Sequence, residues 1–196
     1  MATQISTIVR TATDVRRAAA LLSETAAPAL GGLVARKLWF TLRHADPSTP
    51  RADGQPFELN EQTYRLRGYI YGDGPTVLLV HGWGGNQGQM SSFIDPLREA
   101  GYRVITVDLP SHGESPTGAY GSTTTIAEMA DAITATVVHF GGVHGVIAHS
   151  GGASALGYAM RRKLRVDRAV LLAPMAAPTR YLEQFGAMFG LSLIHI

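Results

Sequence analysis

The amino-acid sequence predicts a three-layer α/β domain with a mostly parallel central sheet, preceded by a helical arm. Short, continuous apolar segments alternate along the chain with longer segments whose apolar residues recur at helical spacing. Continuous apolar segments are typical of strands buried on both faces, and helices are the usual connections between parallel strands. Of the 196 residues, 45% are hydrophobic and 16% are charged, a composition typical of one globular domain.

The composition also excludes several kinds of site and partner. The chain has no cysteine, which excludes cysteine nucleophiles, thiolate metal sites and disulfides. The formal net charge is +2, and the longest basic block is Arg161-Arg162-Lys163, so we expect no nucleic-acid partner. No segment reaches the roughly 18 uncharged apolar residues of a membrane span, and residues 1–9 lack the charged region that begins a signal peptide. We therefore expect a cytoplasmic protein without a membrane span.

Residues 1–42 are predicted to form the helical arm. Asp14 can cap a first helix, and Pro28 suits the first turn of a second helix. Leucine and valine then recur at helical spacing as far as Leu42. We expect this arm to pack on the domain. The alternative is a basic amphipathic helix that lies on a membrane surface or a partner, which Trp39-Phe40 would suit.

A linker and then an alternation of strands and helices follow the arm. Residues 43–62 contain three prolines and Asp53-Gly54, which indicates a linker. The next segment alternates like an edge strand and ends in a tight turn at Gly72-Asp73-Gly74-Pro75. Later strands are continuous apolar runs, and glycines end the first two of the three helices that separate them. The predicted strands span 63–71, 76–80, 103–107, 143–148 and 168–172, and the predicted helices span 91–100, 123–140 and 153–163.

Three distinctive loops follow buried strands of this pattern. They are HGWGG at 81–85, DLPSHGES at 108–115 and AHSGG at 148–152. In sheets of this kind the functional groups lie on loops beyond the carboxyl ends of the strands. The three loops are therefore the candidate site.

The third loop turns directly from a strand into a helix, with Ser150 at its apex. Such a turn holds the apex residue in a strained conformation and exposes its side chain. It also needs small residues two positions to either side, which Ala148 and Gly152 provide. The hydroxyl would lie at a helix N-terminus, where backbone N–H groups favour a developing negative charge. The alternative is an ordinary glycine-rich turn with an incidental serine.

The first loop supports a catalytic interpretation of Ser150. A glycine-rich turn after the preceding buried strand can direct a backbone N–H group at the same point in space. The N–H groups of Trp83 and Gly151 would then form a two-donor oxyanion hole. The indole of Trp83 can also serve as a buried aromatic wall, because only the backbone of this residue is required.

With these three motifs in this order, residues 63–174 resemble the core of α/β-hydrolase-fold proteins of the esterase, lipase and peptidase type. The resemblance implies Ser150 as the nucleophile and the Trp83 and Gly151 N–H groups as oxyanion donors. It departs from the family pattern at Ala148, where the family usually has glycine. Residues 175–190 would begin the lid of the family's fold.

The resemblance also gives structural roles to the other polar residues of the loops. His81, His112 and His149 stand where the family often has histidine without a base role, and Asp108 begins a loop that the family uses structurally. In some relatives an acid near the strand ends joins the chemistry. No cluster of His, Asp and Glu has the spacing of a metal site, and no phosphate-binding loop is present. We expect no metal and no cofactor.

A serine nucleophile needs a histidine base and an acid, which follow the serine along the chain in this family. After Ser150 the chain contains only Asp167, Glu183 and His195 as candidates. Asp167 precedes a strand, Glu183 lies where the lid begins, and His195 has no preceding strand to position it. We therefore expect that the catalytic acid and histidine are absent, that the last two strands of the sheet are missing, and that the chain as it stands is inactive.

The end of the chain supports the same interpretation. Residues 191–196 read LSLIHI, which is the in-frame translation of a transposon end used in sequencing libraries, CTGTCTCTTATACACATC. We interpret these residues as an adapter artefact that takes no part in the fold. His195 would then have no catalytic role.

The sequence thus predicts a serine hydrolase that cleaves an ester or related acyl bond of a small molecule. Two alternatives use the same fold. One is a cofactor-free haloperoxidase or a C–C hydrolase, and the other is a catalytically silent binding protein. The sequence does not indicate the oligomeric state.

Overall fold

A computed structural model of the chain describes residues 53–60, 64–175, 179–180 and 183–184. The chain divides into two compact units, Thr41–Ala176 and a second unit made of Met1–Phe40 and Ala177–Ile196. In the second unit, the described residues 179–180 and 183–184 are helical. The predicted arm at 1–42 and the adapter-like residues 191–196 lie outside the described residues.

The unit Thr41–Ala176 is built on one sheet of six strands in the order β1-β2-β4-β3-β5-β6. β1 and β2 pair antiparallel with each other, and β2 pairs antiparallel with β4. The remaining neighbours, from β4 through β3 and β5 to β6, are parallel. The strands are β1 Gln55–Asn60, β2 Arg65–Tyr71, β3 Thr76–Val80, β4 Arg103–Asp108, β5 Gly145–His149 and β6 Arg168–Leu172.

The helices begin and end where local side chains satisfy their backbone groups. A 3-10 helix, Gln87–Phe93, begins after Asn86, whose side chain accepts a hydrogen bond from the Gly88 N–H, and it leads into α1, Ile94–Glu99. α2, Ile126–His139, begins after Thr125, which accepts a hydrogen bond from the Glu128 N–H. α3, Ser150–Arg161, begins immediately after β5.

The core forms two layers, one on each face of the sheet, because side chains of a strand alternate between its faces. Val80 and Val107 belong to the layer that contacts α2 and α3, which contribute Met129 and Leu156. The opposite layer includes Val77, Leu79 and Val104 and packs against Met90 and Ile94 of the 3-10 helix and α1. The predicted three-layer α/β architecture with a mostly parallel sheet is confirmed.

Four local predictions need correction. The predicted linker at 43–62 contains β1, and β1 rather than the segment at 63–71 forms the edge of the sheet. β1 turns only Phe57 and Leu59 toward the core, and an edge strand tolerates Pro56, which has no N–H to donate. The segment predicted as one helix at 91–100 is divided between the 3-10 helix and α1. The third predicted helix begins at Ser150 rather than at 153.

Within the described residues, no strand pairs with the outer side of β6. Val170 and Leu171 are 46% and 43% exposed, whereas every residue of β3 is buried. Among the described residues, the outer edge of β6 therefore presents unpaired backbone N–H and C=O groups.

Replacing a leucine by alanine is expected to cost far more in β3 than in β6. Leu78→Ala removes a fully buried side chain of the central strand and is expected to lower the free energy of unfolding by about 2–5 kcal/mol. The matched change Leu171→Ala, on the exposed strand, is expected to cost less than about 1 kcal/mol. Urea denaturation of the 196-residue chain measures both. Equal costs would show that β6 is covered as completely as β3.

Candidate active site

The carboxyl ends of the parallel strands bring the three sequence-predicted loops to one edge of the sheet. Val80, the last residue of β3, pairs with Val107 of β4 on one side and with Ala148 of β5 on the other. The loops that follow these strands are therefore neighbours, as the sequence predicts. They contain Trp83, His112 and Ser150, respectively.

Ser150 occupies the turn between β5 and α3 in a strained backbone conformation. Its φ is +50°, in the left-handed region that residues with a side chain rarely adopt. The chain passes from the last residue of β5, His149, into the first turn of α3 with no intervening loop. Strain at such a turn persists only where the surrounding structure imposes it.

Close packing beneath the turn imposes that conformation. A methyl group on Gly152 would overlap the carbonyl oxygen of His81 and would lie 2.9 Å from Cγ1 of Val80. The first turn of α3 therefore lies directly against the end of β3, and only glycine fits there. Ala148 is fully buried in the layer beneath α3.

The backbone of Trp83 lies beside the first turn of α3. A methyl group on Gly151 would lie 3.1 Å from the amide nitrogen and 3.1 Å from Cβ of Trp83. A methyl group on Gly82 would lie 3.1 Å from Cβ of Ser150. Ser150, Gly151 and Trp83 thus meet at one point, at the N-terminus of a helix whose dipole favours negative charge.

His81 is a buried, neutral histidine that connects two of the loops. Its Nε2 accepts a hydrogen bond of 3.0 Å from the Leu109 N–H, and its Nδ1 donates one of 2.7 Å to the Gly82 carbonyl oxygen. Burial, with a further contribution from nearby His112, lowers the pKa of His81 to about 3. Both ring nitrogens are occupied by backbone groups.

His112 makes a second connection of the same kind. Its Nε2 accepts a hydrogen bond of 3.0 Å from the Gly84 N–H, and its Nδ1 donates one of 2.8 Å to the Pro110 carbonyl oxygen. The ring is buried and lies 4.9 Å from the ring of His81, centre to centre. Neither His81 nor His112 has a ring nitrogen left to act as a general base.

Asp108 joins the end of β4 to the 3-10 helix. Its Oδ1 accepts a hydrogen bond of 2.7 Å from the Gln87 N–H, and its Oδ2 accepts one of 2.8 Å from the Glu114 N–H. The Gln87 side chain also donates to Oδ2, at 3.3 Å, and accepts from the Thr106 hydroxyl. Burial raises the pKa of Asp108 to about 6. Sequence reasoning did not identify Gln87, because no pattern distinguishes a buried glutamine from an exposed one.

The remaining candidate bases and acids differ in where they lie relative to Ser150. His149 adjoins Ser150, and within the described residues its buried Nδ1 has no hydrogen-bond partner. Asp167 directly precedes β6 and lies 3.8 Å from Nδ1 of His144, at the amino ends of the strands. A cavity of about 730 Å³ lies beside Asp167, at the edge of the sheet opposite to Ser150. His195 lies outside the described residues.

Sequence reasoning also did not identify Ser154, which lies on α3 one turn after Ser150. Its Oγ accepts a hydrogen bond of 3.1 Å from the Met175 N–H and so connects the loop after β6 to the helix that carries Ser150. The backbone between β6 and this contact turns at Ala173, whose φ is +45°. A lone serine in a helix of small residues gives no sequence signal for such a contact.

The described residues contain no group of three or more His, Asp and Glu side chains placed to hold a metal ion. None of the helices in this part of the chain combines the length and the apolar character that crossing a membrane requires.

Comparison with known proteins relates the larger part of this chain to one family. Residues 77–194 match the model of the alpha/beta hydrolase family. A pimeloyl-[acyl-carrier protein] methyl ester esterase of Methylococcus capsulatus is 46% identical over 56 residues, which are 29% of this chain and 22% of that protein. The dihydrolipoyllysine-residue acetyltransferase component of the acetoin cleaving system of Cupriavidus necator is 36% identical over 121 residues, which are 58% of this chain and 31% of that protein.

Solved structures share the fold. An epoxide hydrolase of Vigna radiata superposes with a TM-score of 0.56 at 23% identity, over 63% of this chain and 41% of its own. An esterase of Exiguobacterium antarcticum has a TM-score of 0.52 at 22% identity, over 58% of this chain and 42% of its own. The chain thus spans less than half the length of these proteins and less than a third of the length of the two curated relatives.

Replacing Gly152 by alanine is expected to destabilise the domain, because the methyl group would overlap the His81 carbonyl oxygen. The expected loss in the free energy of unfolding is about 1–3 kcal/mol. The control is Gly157→Ala in the same helix, where a methyl group meets no atom within 4 Å, and a gain of about 0.5–1 kcal/mol is expected. Thermal denaturation of both variants checks this; a tolerated alanine at 152 would contradict the close approach of α3 to β3.

Asp108 is expected to make the stability of the domain depend on pH between about 4 and 6. Burial raises its pKa from 3.8 to about 6 in the folded state, so the folded state binds the proton more tightly than the unfolded state. The stabilisation that protonated Asp108 provides is complete below about pH 4 and is lost as the pH rises through about 6.

Urea denaturation at several pH values measures this effect. The variant Asp108→Asn is expected to show a smaller fall in the free energy of unfolding over this range. Asp73→Asn, which removes an exposed carboxyl group of a turn, serves as the control for the loss of one charge. An unchanged pH profile in Asp108→Asn would contradict the prediction.

Proposed function

Because the chain belongs to the alpha/beta hydrolase family, we propose that it is part of a serine hydrolase that cleaves an ester or related acyl bond of a small molecule. One observation carries the proposal. Ser150 stands at φ +50° between β5 and the N-terminus of α3, and the backbone of Trp83 lies beside it. A hydroxyl nucleophile and adjacent N–H donors are the groups that acyl transfer requires.

In the proposed reaction, Oγ of Ser150 attacks the carbonyl carbon of the substrate, and its proton passes to a histidine base. The N–H groups of Gly151 and Trp83 donate hydrogen bonds to the oxygen that becomes negatively charged. The tetrahedral intermediate collapses to an acyl-serine ester and releases the alcohol, which takes the proton from the histidine. Water, deprotonated by the same histidine, then hydrolyses the acyl-serine.

The relatives favour an ester as the bond that is cleaved. Pimeloyl-[acyl-carrier protein] methyl ester esterases match this chain at 46–48% identity over short segments. The solved structures with the same fold include epoxide hydrolases as well as an esterase, so the fold alone does not select the reaction. The serine hydroxyl at the turn favours acyl chemistry, because it forms an ester with the acyl group that water can cleave.

We also propose that the histidine base and its acid belong to a part of the protein beyond this chain. His81 and His112 use both ring nitrogens for backbone groups, and Asp167 lies at the opposite edge of the sheet. The partial coverage of the relatives reported above supports the same view. Residues 175–190 would begin the lid, and 191–196 would be foreign to the protein.

Labelling with a fluorophosphonate probe tests the proposal on the full-length protein encoded by the uninterrupted reading frame. The protein is expected to be labelled at Ser150 and to hydrolyse a short p-nitrophenyl ester. Ser150→Ala is expected to abolish labelling and to lower turnover by about 10⁴–10⁶-fold. The control is Ser122→Ala, at an exposed position of a loop, which is expected to leave both unchanged.

The 196-residue chain is assayed alongside and is expected to be slower by several orders of magnitude, because it lacks the base. Equal, Ser150-dependent turnover by the two proteins would place a base within these residues. A folded full-length protein that is not labelled would indicate a catalytically silent binding protein instead.

A further inference from the structure

We propose that His81 and His112 act together as positioning residues for the oxyanion donor, by holding the two peptide groups on either side of the Trp83 Cα. We call them the histidine pair. This inference rests on the proposed function, in which the Trp83 N–H stabilises the developing oxyanion. It assigns a role to two histidines that are not themselves in the reaction.

His81 holds the peptide group that contains the Trp83 N–H. That group joins Gly82 to Trp83, and its carbonyl oxygen accepts a hydrogen bond of 2.7 Å from Nδ1 of His81. The peptide bond is trans, so its C=O and N–H point in opposite directions. Fixing the Gly82 carbonyl oxygen on the buried ring of His81 therefore directs the Trp83 N–H away from that ring.

His112 holds the next peptide group, which joins Trp83 to Gly84. The Gly84 N–H donates a hydrogen bond of 3.0 Å to Nε2 of His112. Since this peptide bond is also trans, the Trp83 carbonyl oxygen points away from His112. Both peptide groups that flank Trp83 are thus tied to imidazole rings.

The loop needs this restraint because its own sequence provides little. Three of the five residues at 81–85, Gly82, Gly84 and Gly85, are glycines and have no side chain to restrict the backbone. Within the loop, the Gly85 N–H donates to the Gly82 carbonyl oxygen at 3.1 Å. A flip of the Gly82–Trp83 peptide would replace the oxyanion donor with a carbonyl oxygen, which repels the oxyanion instead of stabilising it.

Only one tautomer of each histidine supports this arrangement. An amide N–H only donates, so Nε2 of both rings must be unprotonated to accept from the Leu109 and Gly84 N–H groups. The single proton of each neutral ring is then on Nδ1, which donates to a carbonyl oxygen. The two rings lie 4.9 Å apart and are almost fully buried, so each helps to fix the other in place.

Two substitutions of His112 separate positioning from packing. In His112→Gln the side-chain oxygen can accept from the Gly84 N–H in place of Nε2. In His112→Phe a ring of similar shape fills the site without an acceptor. The full-length protein is used, and kcat and KM for a p-nitrophenyl ester, the rate constant for fluorophosphonate labelling of Ser150 and the melting temperature are measured for each variant.

His112→Phe is expected to lower kcat and the labelling rate by about 10- to 100-fold with little change in KM, because the oxyanion donor is displaced rather than removed. His112→Gln is expected to recover most of this loss. The control is His139→Gln, an exposed histidine at the end of α2, which is expected to behave as the wild type. Equal losses in the Gln and Phe variants would show that His112 is only part of the packing and would overturn the inference.

A nitrogen-15 NMR spectrum of the wild-type histidine rings provides a readout that does not depend on folding of the variants. His81 and His112 are expected to carry their proton on Nδ1 alone at neutral pH, and a proton on Nε2 of either ring would overturn the inference.

The labelling experiment separates this inference from the proposed function. A wild-type protein that is not labelled by the fluorophosphonate would refute the proposed function. A labelled wild-type protein together with a fully active His112→Phe variant would refute only the role of the histidine pair.

Discussion

The contact on which the rest of the site depends is the close approach of the first turn of α3 to the end of β3. Gly152 leaves no room for a side chain against the His81 carbonyl oxygen. With the helix held there, the chain has a single residue in which to pass from β5 into α3. That residue is Ser150, and its left-handed backbone at φ +50° follows from the packing beneath it. The free energy that supports this strain comes from the buried layers on both faces of the sheet.

Polar groups beneath the site are satisfied by neighbouring loops rather than by solvent. The histidine pair and Asp108 are almost fully buried, and their hydrogen bonds link the loop after β3, the loop after β4 and the 3-10 helix to one another. An unpaired polar group in such surroundings is costly, so the loss of one partner affects the whole network. The glycine-rich loop at 81–85 thereby acquires a defined conformation that its own residues do not impose.

Five of the six strands and most of the helices could be predicted from the sequence because their apolar patterns are strong. The continuous apolar segments of β3 and β6 and the glycine-terminated helix α2 lie within a few residues of their predicted ranges. β1 could not be predicted, since only two of its side chains face the core and Pro56 argues against a strand. The start of α3 was misplaced because glycine and serine at 150–152 have low helical propensity, and only contact with β3 makes them helical.

The sequence by itself determined the kind of site: a serine between a strand and a helix, a glycine-rich loop after the preceding buried strand, and no cysteine. These are local features, which a linear pattern records. The tertiary structure alone decided that His112 bonds to the Gly84 amide and that Gln87 supports Asp108. Those partners are distant in the sequence, 28 and 21 residues apart, and they meet only because parallel strands bring their carboxyl ends to one edge of the sheet.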